Sequence, residues 1–137
     1  MAMKTKTSEY GSSAGKIWKA LNTKGPQSKT SLKKTTKLSD EKLFAAIGWL
    51  ARENKLSKMD NAFLLSSETN LEYDIGQNAG KIWDALSTWG ECDISSLKTL
   101  TQITDSEVYS AIGWLAREDK IQECRKKNQK QIKFCLK

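Results

Sequence analysis

The chain of 137 residues repeats itself once, at a constant offset of 65 residues. The sequence Gly-Lys-Ile-Trp occurs at 15–18 and again at 80–83, and Ile-Gly-Trp-Leu-Ala-Arg-Glu occurs at 47–53 and again at 112–118. The stretches between these anchors align without a gap. A long unit present only twice indicates two copies of one small domain, because solenoids need several short units to bury a core. We therefore predict one domain at 8–66, a linker at 67–74 and a second domain at 75–137.

Cysteine usage and the absence of histidine limit the chemistry. Cys92, Cys124 and Cys135 all lie in the second copy, so they do not form a duplicated disulfide framework, and we expect them to be reduced, small apolar side chains in a cytoplasmic protein. They also lack the paired spacing of zinc ligands, so we predict neither a metal site nor a cofactor. Nothing resembles a signal peptide or a long apolar span, which predicts a soluble chain with no membrane partner.

Positive charge is concentrated in the first copy. Residues 1–66 contain 13 basic and 5 acidic side chains, a net charge of +8, whereas residues 67–137 contain 10 basic and 11 acidic side chains, a net charge of −1. Localised basic charge is typical of proteins that neutralise phosphates, although an ordinary solvated surface has the same composition.

Hydrophobic spacing divides each copy into the same elements. A first helix ends near Gly25 or Gly90 and places Trp18 and Trp83 on its apolar stripe, so we expect both indoles in the cores. Trp89, which replaces Lys24, is either a core filler or part of an asymmetric contact surface. A short strand at 27–29 or 92–94, a second helix at 31–37 or 96–102, and a hairpin at 55–66 or 120–136 complete the pattern.

The third helix lies between the second helix and the hairpin and is the best-defined element. Ser39 and Thr104 are its predicted N-caps, and Thr104 with Glu107 matches a capping box. Asn54 and Asp119 can adopt the left-handed conformation that ends it. The predicted class is α+β and mainly helical, with three helices and a β-hairpin in each domain.

This order of elements resembles the winged helix-turn-helix fold over nearly the whole chain. The Gly-Lys-Ile-Trp and Gly-Trp-Leu-Ala-Arg-Glu motifs are more narrowly similar to a small prokaryotic family of winged-helix domains of unknown function. The resemblance implies two winged helices in tandem and, by analogy with other winged helices, DNA binding.

The outward face of the third helix is poorly suited to reading bases. Small residues beside one tryptophan form a flat patch in each copy, so we predict a domain or partner interface at Ala45, Gly48, Trp49, Ser110, Gly113 and Trp114. Two alternatives are that each tryptophan packs inside its own domain or that it contacts a base directly.

Lysines around the second helix are the candidates for phosphate contacts. Four of the five basic residues at 29, 33, 34, 37 and 42 have no basic counterpart in the second copy, and the second wing supplies a further basic cluster. The predicted DNA-binding residues are Lys29, Lys33, Lys34, Lys37, Lys42, Arg52, Arg125, Lys126, Lys127 and Lys130.

Enzymatic activity is not expected, because no histidine, Gly-rich phosphate loop or evident carboxylate pair is present. The leading hypothesis is a DNA-binding protein, with transcriptional regulation as the suggested role, that contacts the phosphate backbone through the first domain and the second wing. The alternative is a protein-interaction or self-association module that uses the face of the third helix.

Overall fold

The structure, a computed structural model, describes residues 6–66, 68–124 and 132–137. The first copy consists of α1 (Lys6–Lys24), β1 (Gln27–Ser28), α2 (Lys29–Thr36), α3 (Asp40–Arg52), β2 (Leu56–Met59) and β3 (Ala62–Leu65). The second copy consists of α4 (Glu72–Trp89), α5 (Ile94–Thr101), α6 (Asp105–Arg117), β4 (Ile121–Cys124) and β5 (Lys133–Leu136). The predicted mainly helical α+β class is confirmed. Helix α4 begins inside the segment expected to be the linker.

The two copies share one topology. In the first, antiparallel strands follow the order β1-β3-β2, with Gln27 opposite Phe63. In the second, β4 pairs with β5, and a single bridge between Cys92 and Phe134 takes the place of the first strand. Each hairpin therefore lies against the end of its own first helix.

Local sequence signals position the third helix of each copy. The Ser39 hydroxyl accepts a hydrogen bond from the Lys42 backbone N–H at 3.3 Å, and Thr104 and Glu107 form the predicted capping box. Asn54 and Asp119 follow the two helices with φ of 58° and 59°, the left-handed conformation expected for them. The second helices begin two residues earlier than predicted, because Ser28 and Asp93 cap them.

Each domain has its own apolar core, and each core also takes in a side chain from the other copy. Tyr10 of α1 is fully buried in the core of the second domain, and Ile75, its counterpart on α4, is buried in the core of the first. This reciprocal exchange makes the first helices part of the contact between the domains.

The expectation that Trp18 and Trp83 lie in the cores is wrong. Their relative exposures are 40% and 41%, whereas the neighbouring Ile17 and Ile82 are fully buried. The apolar stripe of each first helix is narrower than the sequence pattern indicates, and the indoles lie beside it.

The expectation that all three cysteines are reduced is also wrong. Cys124 and Cys135 form a disulfide across the second hairpin, with their Cα atoms 6.0 Å apart. Cys92 is a buried free thiol, and burial raises its pKa. The cysteines therefore do not support a reducing compartment.

Thiol counting tests this pairing. In denaturant without a reductant we expect only Cys92 to react with a thiol reagent, and after reduction all three cysteines should react. In a Cys124→Ser variant, Cys92 and Cys135 should both react in denaturant without reduction. Three reactive thiols in freshly purified, unreduced wild-type protein would contradict the disulfide.

Candidate functional site

The third helices of the two copies, α3 and α6, pack directly against each other. A Cβ atom built on Gly48 would collide with the backbone carbonyl of Ser110, and one built on Gly113 would collide with that of Ala45. The four residues are buried, so the helices approach to backbone contact at two equivalent places. Glycine is needed at both because a side chain there would meet backbone, which cannot rotate away.

Two ion pairs join the C-terminal ends of α3 and α6. The Arg52 Nε atom lies 3.0 Å from Glu118 Oε2, and Arg117 Nε lies 3.0 Å from Glu53 Oε2. Each guanidinium also lies over an indole of the other domain: Arg52 is 5.6 Å from the Trp114 ring centroid, and Arg117 is 6.0 Å from that of Trp49. The interface therefore has approximate two-fold symmetry within a single chain.

The two tryptophans of the interface lie on glycines of the first helices. A Cβ on Gly11 would be 3.1 Å from the Trp49 ring, and one on Gly76 would be 3.4 Å from the Trp114 ring. Both indoles also pack against both apolar cores. The six residues predicted for an interface thus lie at or beside the contact between α3 and α6, and a role for them in binding another protein stays a prediction.

The predicted lysines around α2 occupy different environments. Lys29 lies 5.0 Å from the Phe44 ring centroid, Lys33 lies 2.7 Å from an Asp40 oxygen, and Lys42 lies 3.8 Å from Glu9. The hydrogen bond from Lys33 holds the pKa of Asp40 below its ordinary value.

Lys34 and Lys37 are exposed, and within the described ranges neither takes part in an ion pair. Arg52, by contrast, pairs with Glu118. That Arg52 contacts nucleic acid stays a prediction, and this ion pair would have to open for it.

A basic cleft between α1 and α2 was missed by the sequence interpretation. It has a volume of about 300 Å³, a buried alanine at its base, two threonines from α2 and three exposed lysines from α1: Lys16, Lys19 and Lys24. The matching cleft of the second copy has Lys81, Asp84 and Trp89 at these positions. Comparing the aligned copies along the first helix, rather than only along the second, would have identified this difference.

Comparison with protein families agrees with the topology. The sequence model of the family described as "Winged helix-turn-helix domain (DUF2582)" matches the chain twice, over residues 3–64 and 69–134. The chain belongs to this family. No curated protein and no solved structure shows a significant match.

In winged helix-turn-helix domains that bind DNA, the third helix enters the major groove and its outward face reads bases. In this tandem winged-helix chain that face is occupied by the other domain, since Ala45, Gly48, Ser110 and Gly113 are all buried. With α3 and α6 packed together, neither helix presents this face to a groove.

The basic residues predicted in the second wing, Arg125, Lys126, Lys127 and Lys130, lie outside the described residues. Among the residues that the structure describes, no cluster of three potential ligands could hold a metal ion. Likewise, no helix within those ranges is long and apolar enough to cross a membrane.

Proposed function

We propose that this protein binds nucleic acid through the phosphate backbone, without reading sequence, and that the first winged-helix domain supplies the principal contacts. The cleft between α1 and α2 is the centre of the proposed surface, with Lys16, Lys19 and Lys24 on one wall. We assign exposed Lys34 and Lys37 to the same surface, because they flank Thr35 and Thr36 of the cleft in the sequence.

The observation that supports this proposal most is the difference between the two equivalent clefts. Both domains keep the same fold, yet the lysines at 19 and 24 become Asp84 and Trp89 in the second copy. Lysines that served only to keep the protein soluble would have no reason to be concentrated at one of two equivalent clefts. Several lysines around one concave surface attract a polyanion and release its counterions on binding.

The covered α3 supports a sequence-independent mode. Base readout requires side chains that reach base edges in a groove, whereas backbone contacts fix position and carry no sequence information. The contacts predicted at Lys29, Lys33, Lys42 and the second wing belong to the same proposal. If the protein regulates transcription in the cytoplasm, it would then do so by coating DNA or changing its shape, and not by recognising an operator sequence.

The alternative, a protein-interaction module that uses the α3 face, has less support. That face is already packed against α6, and a partner would have to displace the contacts of Gly48 and Gly113 as well as two ion pairs. We therefore favour the lysine surface as the working surface.

Charge removal tests the proposal. Replacing Lys16, Lys19 and Lys24 with glutamine is expected to weaken duplex DNA binding. The plot of log affinity against log salt concentration should also become less steep, its slope falling in magnitude by about 3, roughly one for each phosphate that the variant no longer neutralises. Electrophoretic shift or fluorescence anisotropy across a salt series measures both. Two duplexes of unrelated sequence should bind equally well.

The matched control removes three charges elsewhere, with Lys58, Lys98 and Lys137 replaced by glutamine, because none of them lines either cleft. A converse variant, Asp84→Lys with Trp89→Lys, makes the second cleft basic and should strengthen binding. If the cleft variant and the control variant have the same affinity and the same salt slope, only net charge matters and the proposed surface is wrong.

A further inference from the structure

A pair of equivalent pockets lies where the two repeated sequence motifs meet. The first has a volume of about 330 Å³ and the second of about 300 Å³. The first is bounded by Gly11, Gly15, Trp18, Trp49, Glu53 and Lys55. The second is bounded by their counterparts Gly76, Gly80, Trp83, Trp114, Glu118 and Lys120.

Packing does not account for the glycines at 15 and 80. Both lie in the interior of long helices, where glycine is less favourable than alanine by about 1 kcal/mol. Gly11 and Gly76 make room for an indole, but a Cβ on Gly15 or Gly80 would meet no atom within 4 Å. These two glycines therefore leave open space at the floor of each pocket, and a side chain there would fill it.

Packing also leaves Trp18 and Trp83 unexplained. About two fifths of each indole is exposed, at 40% and 41%, although tryptophan is usually well buried. Most other exposed positions of the first helices differ between the copies, as Lys19 and Asp84 do, and only Lys16 and Thr23 recur among them. These tryptophans and glycines are the same in both copies. An open pocket with two indoles and a glycine floor is thus a repeated feature of the molecule.

We propose that the two pockets bind planar aromatic rings, and that the ring is an unpaired nucleobase. Two indoles beside an open floor offer stacking faces, and stacking on aromatic side chains is tolerant of base identity. Glu53 and Glu118 at the rims use Oε2 for the ion pairs with Arg117 and Arg52. Their Oε1 atoms lie 3.8 Å from Lys55 Nζ and 3.6 Å from Lys120 Nζ, beyond ordinary hydrogen-bond distance, so these oxygens can accept from the exocyclic amino group of a base. The choice of a nucleobase rests on the proposed nucleic-acid function.

Charge favours a nucleic-acid strand over an aromatic side chain of a protein. Lys55 lies at the first pocket, Lys19 follows Trp18 directly, and the first copy has a net charge of +8, so phosphates on either side of a stacked base meet positive charge. At the second pocket Asp84 takes the place of Lys19. A neutral nucleoside should therefore use both pockets equally, whereas a strand should prefer the first.

Titration of the full chain with adenosine, followed by NMR of the indole N–H signals, tests ring binding without phosphate. The signals of Trp18, Trp49, Trp83 and Trp114 should move, and that of Trp89 should not. Gly15→Leu, which places a side chain in the open floor, should abolish the shifts at the first pocket only. The same variant should weaken binding of a single-stranded oligonucleotide roughly 5- to 160-fold, the value of one stacked base.

The control is Asn22→Leu, which adds the same side chain to an exposed position of α1 away from the pocket. Trp18→Leu is a second variant that removes one stacking face. The variant lacking Lys16, Lys19 and Lys24 should still bind adenosine, so failure of the lysine surface and failure of the pocket are distinguishable. The nucleobase assignment would be overturned if adenosine left the indole signals unmoved, or if N-acetyltryptophanamide shifted them and adenosine did not.

Discussion

Gly48→Ala is expected to destabilise the protein by about 1–3 kcal/mol, the usual cost of forcing extra atoms into a packed contact. The added methyl group would meet the backbone carbonyl of Ser110, which can move only if α3 and α6 separate. Gly113→Ala meets the Ala45 carbonyl in the same way, and we expect the double variant to lose more stability than either single one. Urea denaturation measures the loss, and a second transition in the double variant would indicate uncoupled domains.

Gly15→Ala and Gly80→Ala are the matched controls, since the same change on the first helices meets open space. Each should stabilise the protein by up to about 1 kcal/mol through helix propensity alone. Equal effects of alanine at 48 and at 15 would show that α3 and α6 do not touch in solution.

Tyr10→Ala is expected to cost about 3–5 kcal/mol, in line with other large-to-small changes of buried aromatic residues. Tyr10 is fully buried in the core of the other domain, so its removal leaves a cavity at the domain contact. Tyr10→Phe keeps the ring and loses only the 3.2 Å hydrogen bond to the Glu41 carboxylate, which should cost about 1.5–3 kcal/mol, the range for a hydrogen bond to a charged group. Chemical denaturation at neutral pH separates the two variants.

The same phenol makes stability sensitive to alkali. Burial, helped by the negative charge of Glu41, raises the pKa of Tyr10 above its ordinary value. Above pH about 10 the unfolded chain releases this proton while the folded chain retains it, so stability should fall by up to about 1.4 kcal/mol per pH unit. Below that pH the tyrosine is neutral in both states and has no such effect.

The difference between wild type and Tyr10→Phe isolates this contribution, because every other ionisable group, including the partly buried Tyr109 whose pKa burial also raises, is present in both proteins. The two stability curves should run parallel up to pH about 10 and converge above it. Curves that stay parallel in alkali would contradict a buried, neutral phenol.

Most of the fold followed from local patterns in the sequence. Ser39 and Thr104 have cap chemistry that few other positions offer, and Asn54 and Asp119 can adopt a positive φ, so the third helices were correctly bounded to within a residue. The small residues beside Trp49 and Trp114 indicated close packing on that face. A single helical wheel could not show which helix would cover it.

The errors came from contacts between elements. Trp18 lies next to the buried stripe in sequence, but glycines on the same helix open a pocket there. Hydrophobic periodicity shows which face of a helix is apolar, and it gives no information on the space that a glycine leaves open. Cys124 faces Lys133 and Gln122 faces Cys135, so the two cysteines are diagonal neighbours on one face of the hairpin, and their pairing depends on a strand register that cysteine spacing alone does not reveal. The lysines of α1 were overlooked because their cleft forms only once α2 folds against them.

Joining α3 and α6 within one polypeptide has an evolutionary consequence. In a homodimer with the same two-fold contact, every substitution appears on both subunits, so a surface cannot acquire a charge on one side alone. Here Gly48 and Gly113 maintain assembly while positions 19 and 84 have become lysine and aspartate. A tandem repeat can therefore carry different surface charges on its two halves while both halves keep the residues of the contact that joins them.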